Sequence, residues 1–123
     1  MRIGWAILWI LFSAIQVSAQ EFKWGEIYAS HSNTSIPVFH IETSQAADRM
    51  ELRIYDVSLK PVFGTEIAKP VRRKGNFQVY EYVWRNAEEL QAGVYFYIVR
   101  ALKKGHTPLE TLKHLKLERK EAQ

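Results

Sequence analysis

The sequence predicts an all-β protein, an antiparallel β-sandwich of about seven short strands preceded by a cleavable signal peptide. Three observations carry that expectation. Strand-length runs of β-branched and aromatic residues recur between clusters of turn residues from Ile36 to Glu118. Beyond the amino-terminal region, no stretch sustains a helical period long enough for an amphipathic helix. The first residues read as an export signal rather than as part of a fold.

Met1-Arg2 is a short basic start, and Ile3 to Phe12 is an apolar run. That run falls short of the roughly 20 apolar residues that a membrane span needs. Val17-Ser18-Ala19 supplies the side chains a signal peptidase inspects, so 1–19 is read as a signal peptide and Gln20 as the new amino terminus. An uncleaved anchor fits this length less well. The 123 residues carry 17 Lys and Arg against 13 Asp and Glu, a formal net charge of +4, and no cysteine. A chain of this size makes one small domain whose stability must come from packing. The missing thiols exclude disulfides, thiol catalysis and every cysteine-based metal site. For an exported protein, that composition leans bacterial.

Residues 20–35 read as an amino-terminal arm or edge strand. Phe22, Trp24, Ile27 and Tyr28 follow no period there, and a polar string closes the segment. Asn33-Thr34-Ser35 matches a glycosylation acceptor, although a polar turn is the plainer reading. The sandwich itself is expected over 36–118. Ile36 to Glu42 is the first clear strand, with Pro37 suited to a strand start or a sheet edge. In the next, Met50 to Tyr55, Met50, Leu52 and Ile54 alternate with charged residues in a half-buried pattern. Asp56 to Pro61 makes a turn, and Val62-Phe63 resumes as a short strand. Lys69 to Gly75 reads as an exposed basic loop bounded by proline and glycine. Phe77 to Trp84 is a long strand with Tyr80, Tyr82 and Trp84 on one face and Phe77, Val79, Glu81 and Val83 on the other. Arg85 to Ala92 is a loop or one helical turn, which Gly93 ends. Leu109 to Glu118 has both three-residue and two-residue spacings of leucine; a closing strand is preferred, because the Gly-His-Thr-Pro turn would fold it back onto the Val94 strand. Residues 119–123 form a charged tail.

The strongest strand signal is Val94 to Leu102. Tyr95, Tyr97 and Val99 occupy one face, and Val94, Phe96 and Ile98 the other. A sandwich strand normally buries only one face. The second apolar face therefore needs a cover, either the amino-terminal arm through Phe22 and Trp24 or a binding partner. The arm is the preferred reading.

Six or seven strands with turns between them, at this length, argue an immunoglobulin-like sandwich. The chain also resembles a known module. Ile54-Tyr55-Asp56-Val57-Ser58 and Ala92-Gly93-Val94-Tyr95-Phe96-Tyr97 are the most specific pieces, with the Tyr and Trp strand ending at Trp84 between them. Together they resemble the immunoglobulin-like module shared by the flagellar hook-capping family and the carboxy-terminal sorting domains of type IX secretion cargo. The resemblance spans roughly Tyr28 to Lys120. It implies a seven-stranded sandwich that is secreted, non-enzymatic and found mainly in Bacteroidetes-like bacteria. The chain departs from that family in having Leu59 where glycine usually follows the Ser58 position, and Arg85-Asn86 where Asp-Gly usually follows the tryptophan.

No constellation reads as catalytic. His31, His40, His106 and His114 lack metal-ligand spacing, so neither a metal nor a cofactor is expected. Asp56 is read as a turn former and Glu81 as solvent-facing. There is no nucleophile elbow and no phosphate loop. Two basic clusters stand out: Lys69, Arg72, Arg73 and Lys74, then Arg100, Lys103, Lys104, Lys113, Lys116, Arg119 and Lys120. They suit an acidic protein, an anionic glycan or lipopolysaccharide, or merely a solvated surface; export argues against nucleic acid, and cleavage would leave no transmembrane span. The expected function is protein binding in cell-envelope assembly, secretion or surface attachment, in the periplasm, on the outer surface or outside the cell. The expected contact residues are Val94, Phe96 and Ile98 with Arg72, Arg73, Lys74, Lys103 and Lys104. The alternative is a small carbohydrate-binding protein with an exposed platform of Tyr80, Tyr82 and Trp84.

Overall fold

The structure, a computed structural model, describes residues 21–31 and 36–118. The readings of a signal peptide at 1–19, an acceptor pattern at Asn33 and a charged tail at 119–123 lie outside the described residues. Among the described residues, eight strands form two antiparallel four-stranded sheets. They are β1 Trp24–His31, β2 Pro37–Thr43, β3 Arg49–Tyr55, β4 Pro61–Glu66, β5 Arg72–Lys74, β6 Phe77–Val83, β7 Gly93–Leu102 and β8 Leu109–Leu117. A 3-10 helical turn, Arg85–Glu89, joins β6 to β7. One sheet has the order β1-β2-β6-β5 and the other β4-β3-β7-β8.

The core follows from the alternation that the sequence carries. Phe39 and Ile41 of β2 and Tyr80 of β6 meet Met50, Leu52 and Ile54 of β3 and Tyr95, Tyr97 and Val99 of β7. Trp84 lies fully buried at the end of β6, with its ring 6.1 Å from those of Phe39, Phe63 and Tyr95. Tilted and edge-to-face aromatic contacts of this kind add roughly 0.5–1.5 kcal/mol per pair beyond simple burial.

The expected strands are present, including the closing one, which pairs with β7 from Gly93↔Leu117 to Ala101↔Leu109. The basic loop differs from expectation. Arg72–Lys74 is a short strand paired with β6, and three consecutive cations have no alternation by which a sequence could reveal it. Of the two readings of the amino-terminal segment, arm or edge strand, the edge strand is the one formed, since β1 pairs with β2 along Ile27↔Ile41 to His31↔Pro37.

Two turns show how local chemistry sets the connections. The Asp56 carboxylate accepts hydrogen bonds from Ser58 N at 2.9 Å, Ser58 Oγ at 2.7 Å and Lys60 N at 3.0 Å. These bonds, led by the one from the Ser58 hydroxyl, hold its carboxyl below the usual range. The same turn puts Leu59 at φ 65°, a left-handed conformation that side chains rarely adopt. At the other end, Tyr95 Oη donates to Gln91 O at 2.7 Å, tying the start of β7 to the turn before it.

Candidate interaction surface

Both outer faces of the sandwich carry functional-looking residues, and they are built differently. Partners in an antiparallel register share a face, so the ladders locate each side chain. On the β1-β2-β6-β5 sheet, Tyr28, His40 and Glu81 make one cross-strand row, and Glu42, Val79 and Arg72 make the next. His40 and Glu42 are buried, at 5% and 3% exposure. His40 Nε2 lies 2.6 Å from Glu42 Oε2, and the Tyr28 ring stacks on the imidazole at 4.5 Å. Lys74 Nζ reaches Glu42 Oε2 at 3.2 Å and Glu26 Oε1 at 3.4 Å, while Glu26 N donates to Glu42 Oε1 at 3.3 Å. Arg72 Nη1 pairs with Glu81 Oε2 at 3.2 Å.

This network is closed on itself. Burial pushes the Glu42 carboxyl up, but the bonds from His40, the Glu26 N–H and Lys74, with the charge of Lys74, together outweigh it and hold the group below its ordinary value. The bond from Lys74 to the Glu42 carboxylate, followed by its bond to the Glu26 carboxylate and the charges of both, raises Lys74. Val79 is fully buried on this face. Glu81, expected in solvent, is half-buried between Arg72 and the 3.8 Å contact to His40 Nδ1.

The outer face of the β4-β3-β7-β8 sheet is open. Its first row, Glu66, Glu51, Arg100 and Glu110, is polar. Arg49 lies 2.9 Å from Glu51 and 3.1 Å from Glu66, and Arg100 lies 3.7 Å from Glu110. The second row is Gly64, Arg53, Ile98 and Leu112; the third includes Tyr55, Phe96 and His114; Val94 sits beside Lys116. Leu112 is 63% exposed and Val94 39%. A small recess of about 80 Å³ opens where the polar and apolar rows meet, lined by Glu51, Arg53, Tyr55, Ile98, Arg100 and Glu110.

The expected cover is absent from this face. Trp24 packs against the core, and Phe22 is buried in it, with its ring 5.6 Å from His106. The arm cannot reach Val94, Phe96 and Ile98, because β1 hydrogen-bonds to β2 in the opposite sheet.

The expected contact residues are also separated. Arg72, Arg73 and Lys74 lie on the edge of one sheet, and Val94, Phe96 and Ile98 lie in the other. Arg72 and Lys74 are engaged with carboxylates, whereas Arg73 lines a wide polar depression of about 650 Å³ with Glu21, Lys23, Ser44 and Gln45. Lys103 Nζ donates to Ala46 O, and Lys104 N donates to Asp48 Oδ2, both in the turn beyond β7. The aromatic platform is not exposed either. Tyr80 is 1% and Trp84 0% exposed, because the face they share with Tyr82 is the one turned toward the other sheet. A tryptophan at alternate spacing with tyrosines has the same pattern whether its face is buried or wet.

Among the described residues, no group of three or more His, Asp or Glu is placed to hold a metal ion. None of their helices is long and apolar enough to cross a membrane. The described residues form a two-sheet antiparallel sandwich with one outer face of paired charges and another on which a polar row adjoins exposed Leu112 and Val94. No family model matches the chain, and no curated protein matches it.

Proposed function

We propose that this chain is an exported, non-catalytic, immunoglobulin-like binding module that engages a protein partner in the cell envelope through the outer face of β3, β7 and β8. One observation carries the reading: Val94, Phe96, Ile98 and Leu112 form a contiguous apolar strip in which Val94 and Leu112 are exposed and Phe96 and Ile98 half-buried. Contiguous exposed apolar area beside a polar rim is what protein partners bury.

Three features support the immunoglobulin-like type. The strand order sets β1, β2, β6 and β5 against β4, β3, β7 and β8. The bond from Tyr95 to Gln91 is a tyrosine corner, made where the chain crosses from one sheet to the other. The left-handed backbone at Leu59 stands where the sorting-domain and hook-capping modules usually have glycine, so this chain keeps that turn with a different residue.

The test is a photo-crosslinking side chain placed at Leu112 and, as a control, at Tyr28, in cells that export the protein. A discrete adduct at Leu112 that is lost on Val94→Glu, with none at Tyr28, is the expected result. Equal labelling at both positions, or none at Leu112, would sink the reading. Leu112 and Val94 are exposed, where substitutions change stability by about 0.5 kcal/mol or less, so unfolding will not mimic the effect.

A further inference from the structure

The four sheet edges are unequal. The ladder of edge strand β1 shifts register between Trp24 and Ile27. That of β4 shifts between Ile54 and Tyr55, and the strand begins with Pro61. β5 has three residues, all cationic. Bulges, proline, brevity and charge are the devices that stop an edge from recruiting another strand. β8 lacks the first three: it has nine residues, contains no proline, and pairs with β7 at nine successive positions without a shift.

We propose that β8 is a docking edge that takes up an extended, acidic segment of the partner protein as a fifth strand of its sheet. The claim rests on the reading of this face as a protein-binding surface and names the kind of partner. Charge selects the occupant. Lys113, His114 and Lys116 are exposed, and none has a carboxylate within ion-pairing distance among the described residues. Full-length antiparallel pairing of two copies sets Lys113, the midpoint of the strand, against Lys113, and Lys116 at each end against Glu110, which already lies 3.7 Å from Arg100. Like charges directly opposite one another are destabilising, and opposite charges are favourable. A strand with carboxylates facing Lys113 and Lys116 makes an opposite-charge pair at each and leaves Glu110 with Arg100, whereas a second copy keeps the like pair at its centre. An added strand would also extend the row from Arg53 through Ile98 to Leu112, covering the most exposed apolar side chain of that row.

Two synthetic nine-residue peptides of alternating valine and threonine test this, one with glutamates and one with lysines at the positions facing Lys113 and Lys116. Binding is followed by fluorescence anisotropy and backbone amide exchange on the mature chain. The glutamate peptide should bind more tightly and slow exchange of the outward N–H groups of β8. In the Lys113→Glu, Lys116→Glu double variant its affinity should fall about tenfold, and the lysine peptide should gain what it loses. The proposal is overturned by equal binding of both peptides, by protection of another edge, or by a concentration-dependent dimer protecting these amides. Binding of anionic phosphatidylglycerol vesicles through these lysines without binding of the glutamate peptide also overturns it. A Leu112 adduct in cells without peptide protection of β8 overturns strand addition alone; peptide protection without any adduct overturns the broader reading of the apolar face alone.

Discussion

A β-carbon on Gly25 would stand 2.7 Å from Glu42 Oε1 and 2.8 Å from Glu42 Cβ. Phe77 Cδ1 would be 2.9 Å away on the same side. The glycine lies at the register shift of the β1–β2 ladder, so its missing side chain is what lets β1 close over a buried carboxylate.

Gly25→Ala should therefore destabilise the protein by about 1–3 kcal/mol, the range for overpacking a filled site. Part of the effect acts through the Glu42 carboxylate, while the contacts with Glu42 Cβ and Phe77 persist when residue 42 is alanine. In urea denaturation, the loss in the Gly25→Ala, Glu42→Ala double variant should be smaller than the sum of the two single losses. Simple additivity would show that the two residues are not coupled.

Glu42, like Asp56, contributes stability that acid removes. Its folded-state pKa lies below the unfolded one, so its contribution is present in full above the ordinary value of 4.5 and is lost as pH falls through the folded value. Lys74 has the opposite sign: its raised pKa gives a contribution that is present below 10.5 and is lost as pH rises through the folded value. Glu42→Gln should flatten the decline in melting temperature below about pH 4.5 while lowering stability near neutrality. Glu42→Ala, which removes the 2.6 Å partner of buried His40 Nε2, should cost about 1–3 kcal/mol. A parallel acid slope in Glu42→Gln would contradict this assignment.

Tyr95→Phe removes one hydroxyl and leaves the ring in the core. The Gln91 carbonyl then loses its 2.7 Å donor, and stability should fall by about 1–2 kcal/mol. For a domain of this size, each kcal/mol is roughly 4–8 °C of melting temperature, which differential scanning calorimetry resolves. An unchanged melting temperature would mean that water satisfies the carbonyl equally well.

Leu59→Gly should stabilise. A left-handed conformation costs a non-glycine residue about 1–2 kcal/mol, and the added chain freedom of glycine returns roughly 0.5–1 kcal/mol of that to the unfolded state. Leu59 is 68% exposed and leaves little packing to lose, so a net gain of about 0.5–1 kcal/mol is expected from chemical denaturation. A loss would show that the leucine makes contacts worth more than its backbone strain.

Much of the architecture was legible because strand alternation is a local property. Met50, Leu52 and Ile54 announce a buried face, and the turn after Leu102 announces that the last strand folds back. The double-sided apolar character of Val94 to Ile98 was equally visible, and it remains the centre of the candidate surface. The fate of the arm was not visible, because Phe22 and Trp24 are compatible with either sheet until hydrogen bonding to β2 assigns one. The same holds for Tyr80 and Trp84, whose periodicity marks a shared face without its direction. Nor did the basic run reveal that Lys74 bonds Glu42, a residue thirty-two positions earlier.

By itself, then, the sequence determined the strands, their turns and which side chains share a face, because the two-residue period and turn chemistry act over a few residues. Only the tertiary structure decided which face is buried, which charges are already paired and which edge is open. Those outcomes depend on register between strands far apart in the chain, and register is fixed by the packing of the whole sandwich.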